Sequence, residues 1–296
     1  MRRIIECIPN VSEGRNKSVI NSLRKVIEGV HLVRLLDVHS DPDHNRSVFT
    51  FIGPPHVVKR AAYKLTEKAI ELIDIEKHEG VHPFIGAVDV IPFVPLIGVS
   101  TNETVELARG LGDEIAHSLK IPVYFYGSSA LRHDRHNLPA VRHGGYQALK
   151  EEIASPERQP DYGPEELHPR GGAVAIGVRD FLIAFNVNLD SDNLDAAKEI
   201  ARAIREKHGG LPGVRAIGVT LESKGLVQVS MNITDHRETT LKEVMDFVIE
   251  RAKRKGIAIK EGEIVGMIPK DAIFPNIKGY LKLPRFVGSK IVNNYL

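Results

Sequence analysis

Two hydrophobic rhythms alternate along the chain. In "RIIECIPNV" apolar and polar positions alternate as in a strand, and in "NKSVINSLRKVIEG" Val19, Ile20, Leu23, Val26 and Ile27 recur at helical spacing. "HLVRLLDVHS" and "NRSVFTFIG" predict two strands joined at the turn-type cluster "DPDH". A helix from about His56 to Asp74 and the strand "AVDVIPFVP" complete the first group. The same order returns from Phe181. "FLIAFNVNL" predicts a strand, and "LDAAKEIARAIREK" a helix with Ala197, Ile200, Ala201 and Ile204 on one stripe, ended by Gly209 and Gly210. "GVRAIGVTL" and "GLVQVSMNIT" flank the hairpin signal "ESKG". A helix with Leu241, Val244, Met245, Val248 and Ile249 on one stripe and the strand "GEIVGMIP" follow.

Both halves therefore predict βαββαβ, the ferredoxin-like order. The expected fold class is α+β, with two such subdomains, antiparallel sheets, helices on one face of each, and a ligand groove between the subdomains. The first subdomain is expected over 1–180 and the second over 181–296. Residues 150–172, rich in proline, glycine and charge, read as the linker between the halves. A helix over 101–119, opened by the capping box of Ser100 and Glu103, and the strand "IPVYFYG" are additions to the first half.

The strands of the second half carry a chemical contrast. One face of "FLIAFNVNL" is apolar, and the other ends in Asn186 and Asn188. In "GLVQVSMNIT" the second face holds Gln228, Ser230, Asn232 and Thr234, and "GVRAIGVTL" is expected to add Ala216, Gly218 and Thr220 to it. Helices would cover the apolar face. A solvated face usually carries Lys, Glu and Arg, so a small, amide-rich one is read as lining a ligand groove. Asn10 holds the matching place in the first half.

Composition narrows the function classes. With 42% hydrophobic and 26% charged residues the 296-residue chain has material for a packed core. Forty basic against 38 acidic side chains give +2, too weak a bias for bulk nucleic-acid binding. No apolar run is long enough to cross a bilayer, and "MRRIIECIPN" lacks a signal peptide's apolar stretch, so a cytoplasmic location without membrane contact is expected. The single cysteine, Cys7, excludes an internal disulfide and a cysteine-cluster metal site.

Histidines gather in four loop-type segments, "DVHSDPDHNR", "KHEGVHP", "LRHDRHNLPAVRHGG" and "ELHPRGG". His78 and His82 stand four apart, but Gly80 and Pro83 interrupt the helix that would make such a pair a zinc site. A metal-dependent hydrolase built on His44, His78 and His82 is one alternative. His82, in a bend stiffened by Pro83, could instead act as a proton-transferring base, or merely hydrogen-bond its loop; the residues alone leave both open. Arg132, Arg135, Arg142 and His143 are either a solvated loop or an anion clamp. A non-catalytic RNA-binding module is a third alternative, but it wants aromatic platforms that the polar face lacks.

Five segments in register, "IIECIPNVSEGRN", "LLDVHSDPDHNRSV", "HPFIGAVDVIPFVPL", "PDYGPEELHPRGGA" and "FLIAFNVNL", resemble the glutamate formiminotransferase family, which also forms the N-terminal part of formiminotransferase-cyclodeaminases. The resemblance runs from Ile4 to about Pro269. It implies transfer of a formimino group from N-formimino-L-glutamate to N5 of tetrahydrofolate, in histidine degradation. It implies His82 as the catalytic histidine and a folate-binding loop at Gly163, Pro164, Glu165, Glu166, Leu167, His168, Pro169, Arg170, Gly171 and Gly172. Tetrahydrofolate would be a co-substrate, with no metal or prosthetic group. A homodimer, and a separate cyclodeaminase for the next step, are further implications. Asn10, His39, Asn45, Arg46, Tyr126, Arg142, Asn186, Asn188, Gln228 and Asn232 are the remaining substrate-groove candidates. The family's usual motif has an acid and an arginine where this chain has Val81 and Phe84. The change either replaces a polar contact with packing or accompanies a changed donor, N-formyl-glutamate, at the same site.

Overall fold

The computed structural model of the chain describes residues 2–286 and 288–296. It divides into two compact units, one ending at Arg179 and the other beginning at Asp180.

The first unit contains strands β1 (Ile4–Cys7), β2 (Asn10–Val11), β3 (Arg34–Asp41), β4 (Arg46–Gly53), β5 (Val88–Ile97), β6 (Val123–Gly127) and β7 (Val174–Val178). Its helices are α1 (Lys17–Glu28), α2 (Pro55–Leu72), α3 (Thr101–Leu119), α4 (Leu138–Val141) and α5 (Gly145–Glu152). Among the described residues these seven strands form one sheet, in which β3 pairs with β4 and β1 and β2 both lie between β4 and β5. Asn16 caps α1, and Ser100 and Glu103 close the expected capping box on α3.

The sheet departs from the expected one in two ways. β7, unforeseen, inserts between β5 and β6 and runs parallel to both, so the sheet is mixed and not antiparallel. Parallel neighbours need a crossover, and α4 and α5 lie on the path from β6 to β7. These helices also break the rule of one helical face. Val123 and Phe125 of β6 join the core that includes residues of α1, α2 and α3, whereas Tyr124 and Tyr126 pack with Val141, Leu149 and Ile153.

Within residues 150–172, Asp161 makes contacts to the first unit. The Phe125 amide donates to the Asp161 carboxylate at 2.6 Å, and Asp161 pairs with buried Arg135 at 2.8 Å. The segment is thereby tied to β6 within the first unit.

The second unit has β8 (Ile183–Leu189), α6 (Leu194–Ile204), β9 (Val214–Leu221), β10 (Leu226–Ile233), α7 (Leu241–Arg254), β11 (Ile259–Val265) and α8 (Ile277–Tyr280). Its sheet is antiparallel throughout, in the order β11-β8-β10-β9. One face, with Phe185, Val187, Val229 and Met231, is buried with Ile200 and Ile204 of α6 and Val244, Met245 and Val248 of α7. The register corrects the expectation for β9. Gln228 lies opposite Val219 and Ser230 opposite Ile217, so Ala216, Gly218 and Thr220 belong to the other face. At Gly218 a side chain would overlap the α6 backbone at Ala197 and Lys198, so glycine there lets helix and strand approach closely. No helix among the described residues is long and apolar enough to cross a membrane.

Candidate functional site

The polar centre of the first unit is built where regular strand pairing breaks. Asn10 pairs with Val90 and Val11 with Val88, leaving Asp89 as the extra residue of a β-bulge in β5. Its side chain is fully buried. One carboxylate oxygen, Oδ2, accepts from Arg46 Nη1 and from Arg142 Nη1, both at 2.8 Å. The other, Oδ1, accepts from the Ile85 amide at 3.0 Å. Arg46, at the start of β4, also donates from Nε to Asn10 Oδ1 at 2.9 Å. Two guanidinium groups thus share one carboxylate.

The β3–β4 turn and the loop after α2 meet beside this group. Asn45 takes a positive φ of 46°, which asparagine tolerates better than most residues. Its Oδ1 accepts the Gly14 amide at 2.9 Å, and its Nδ2 donates to the Glu79 carbonyl at 2.9 Å and to His78 Nδ1 at 3.3 Å. His82 keeps a partly open edge, with its ring centroid 5.9 Å from that of His44. Its Nδ1 lies 2.8 Å from the Pro83 carbonyl oxygen. A carbonyl only accepts, so Nδ1 carries the proton and Nε2 is the basic nitrogen of the neutral ring. Desolvation, then the positive charges of Arg46 and Arg142, hold the His82 pKa well below the ordinary histidine value. The imidazole is therefore neutral at neutral pH and able to accept a proton.

The segment 163–172 is pressed against the same loop. Gly86 and Gly172 form an antiparallel bridge, the Ala87 amide donates to the Gly171 carbonyl, and the Ala173 amide donates to the Ile85 carbonyl. A side chain at Gly86 would overlap the Ala173 and Gly171 carbonyls, and one at Gly172 the Ile85 carbonyl. Glycine is required on both sides for the two backbones to touch. His168 Nδ1 accepts the Gly171 amide at 2.8 Å and the Arg170 amide at 3.2 Å. Arg170 donates to the carbonyls of Ile70 and Glu71, capping the C-terminus of α2. Glu165 and Glu166 are exposed, and Pro164 and Leu167 are partly buried.

The fold brings Asn10, Asn45, Arg46, His82 and Arg142 together, and His39 lies in the same cross-strand row as Val48 and Asn10. Tyr126 is buried on β6 and hydrogen-bonds the Arg179 guanidinium, its ring occupying the space that a side chain at Gly177 would need. In the second unit, Gln228 donates to Asn188 Oδ1 at 2.8 Å, Asn188 to Glu261 at 2.9 Å and Asn186 to Glu263 at 3.1 Å. Asn232 is exposed. The metal-site alternative finds no support in the geometry. Among the described residues no group of three or more His, Cys, Asp or Glu side chains is arranged to hold a metal ion. Phe84 packs its ring edge-on against His78 at 4.4 Å, and Val81 is 42% exposed.

Asp89 is the residue that sequence reasoning missed. Its signal was available as the lone charge in the apolar run "AVDVIPFVP". Glu6, in "IIECIPN", is a second case; burial raises its pKa to about 7, against the opposing charge of Arg179.

Two family models match the chain: "Formiminotransferase domain, N-terminal subdomain" over residues 4–179 and "Formiminotransferase domain" over residues 184–287. The chain is 41% identical over 297 residues to a glutamate formimidoyltransferase of Streptococcus pyogenes serotype M1, covering 100% of this chain and 99% of that one. It is 44% identical over 285 residues to a glutamate formimidoyltransferase of Thermoplasma acidophilum, covering 96% and 94%. A formimidoyltransferase-cyclodeaminase of Rattus norvegicus is 40% identical over 279 residues, covering 92% of this chain and 51% of that one.

Proposed function

The chain belongs to the formiminotransferase family, and on that premise we propose that it transfers the formimino group of N-formimino-L-glutamate to N5 of tetrahydrofolate, a step of histidine degradation, with His82 moving the proton. The observation that carries this reading is the His82 tautomer. Its Nδ1–H is spent on the Pro83 carbonyl, so a neutral imidazole offers Nε2 as base beside two guanidiniums.

The step needs such a group. N5 attacks the formimino carbon, and the C=N electron pair moves onto the imino nitrogen. His82 Nε2 takes the proton leaving N5. As the tetrahedral adduct collapses, the bond from carbon to the glutamate nitrogen breaks, and His82 returns the proton to that nitrogen. Glutamate leaves, and the formimino group stays on N5. Acid–base help of this kind contributes roughly 10²–10⁴-fold. Holding both substrates beside the imidazole supplies a further share through proximity.

We assign tetrahydrofolate to the loop Gly163–Gly172, supported by its backbone junction with the His82 loop at Gly86. Arg46 and Arg142 together outnumber the one Asp89 carboxylate, which supports assigning them to substrate carboxylates. The βαββαβ connectivity of the second unit, with its β11-β8-β10-β9 order, supports a ferredoxin-like reading of that unit. The packing of Phe84 on His78 supports reading the change at this position as an aromatic contact in place of a polar one.

The test is turnover of the His82→Gln variant with tetrahydrofolate saturating, beside wild type with formimino- and formyl-glutamate as donors. Wild type is expected to use formimino-glutamate, and the variant to lose roughly 10²–10⁴-fold. Wild-type turnover with formyl-glutamate alone would overturn the donor, and near-normal turnover of H82Q would overturn the role of His82.

A further inference from the structure

We propose that Asp89 is a positioning residue for this reaction, which holds His82 in place through Arg142 and the Pro83 carbonyl. The inference rests on His82 being the proton-transferring group and adds a residue that the reaction scheme does not use.

The geometry is a chain of contacts across separate elements. Asp89 leaves β5 at a bulge, where pairing does not dictate its direction. It binds Arg142, which follows α4, at 2.8 Å. The same Nη1 of Arg142 reaches the Pro83 carbonyl oxygen at 3.4 Å. That oxygen accepts the His82 Nδ1–H at 2.8 Å. Asp89 also fixes the other end of the His82–Ile85 stretch by accepting the Ile85 amide. One buried carboxylate thus sets the orientation of the ring and the tautomer it holds.

Charge gives a second reason for the residue type. Arg46 on β4, Arg142 and His44 in the β3–β4 turn all act on His82 with the same sign. Asp89 lies against both arginines and also acts on Tyr126 of β6 and on His78. Without its carboxylate the two guanidiniums would repel each other, and the clamp on Pro83 would open.

The test is Asp89→Asn, which keeps size while removing charge. A purely structural role would lower yield or melting temperature and leave the pH profile in place. The positioning role predicts a fall of about a hundredfold in kcat/KM. It also predicts that the acid limb of the profile moves to lower pH, because the carboxylate that offsets the two guanidiniums acting on His82 is gone. A folded D89N protein whose acid limb does not move overturns the inference, whether or not the rate falls. Where D89N does not fold, Arg142→Gln probes the same chain. Its acid limb is expected to move to higher pH, and an unmoved limb overturns the proposal. H82Q in the same assay separates the two levels. A fully active H82Q overturns the role of His82 itself, whereas an inactive H82Q with an unmoved D89N limb overturns the Asp89 inference alone.

Discussion

Both units carry polar side chains on a sheet face, and they use them in opposite ways. In the second unit Gln228 and Asn188 are cross-strand neighbours in regular register, Glu261 joins them beside an irregularity of β11, and their hydrogen bonds run along the row they share. In the first unit Asp89, Arg46 and Arg142 come from a bulge, a strand start and the end of a short helix. Two positive groups meet one negative group there, with a neutral histidine beside them. The difference lies in where the groups come from and in their charge: one row of a sheet in the second unit, three separate elements with an excess of positive groups in the first.

The largest break in this comparison is expected at Gly86. A valine there would collide with the backbone carbonyls of Gly171 and Ala173, atoms that cannot rotate away. The His82 loop and the 163–172 loop would separate, and transfer should fall below detection. Overpacking against backbone puts the stability loss at about 3 kcal/mol or more. Urea unfolding and a turnover assay on the Gly86→Val protein check both. Normal turnover would mean that the two loops need not touch.

A smaller effect sharpens the other side. Gln228 is fully buried, and Gln228→Leu leaves Asn188 Oδ1 without that donor. The expected cost is about 1–3 kcal/mol. It should appear as a lower urea midpoint, with kcat and the KM for tetrahydrofolate within about twofold of wild type, as for a residue acting through stability alone. A large rise in KM at unchanged stability would instead give this face a role in binding.

The same contrast governs what the sequence made legible. Helices with strong apolar stripes, such as Lys17–Glu28 and Leu241–Arg254, stand where their periodicity put them, because one buried stripe defines a helix. The face of β9 was misjudged by one residue. The connection Glu222–Gly225 pairs Leu221 with Leu226, and a slip of one position turns every side chain over. β7 escaped because "VAIGV" is short and follows a glycine pair that read as the end of a linker. The bend that carries His82 was legible from histidine, glycine and proline together, whereas the proton-transferring role came only from the family resemblance. Asp89 showed only as a lone charge in an apolar run, and its pairing was not legible because its partners Arg46 and Arg142 lie 43 and 53 residues away, distances that only the sheet and the α4 crossover bring together.

The smallest expected effect concerns pH and separates site chemistry from site stability. His78 is partly buried, and desolvation, reinforced by Arg15 and Arg46 against the pull of Glu13 and Asp89, lowers its pKa from 6.5 to about 4. In the unfolded chain the ring titrates at its ordinary value, so between pH 6.5 and 4 the unfolded state binds more protons than the folded one. Stability from this residue is present above that window and is lost as pH falls through it. The ring is partly solvent-exposed, so screening keeps the contribution modest. His78→Gln cannot titrate, and its melting temperature should therefore fall less between pH 7 and pH 5 than that of wild type. With the proton-transfer role proposed for His82, H78Q should keep the wild-type acid limb in kcat/KM. An equally steep thermal loss in H78Q would show that His78 does not couple folding to pH. A displaced acid limb would bring His78 into the catalytic group and blur the line drawn between the two histidines.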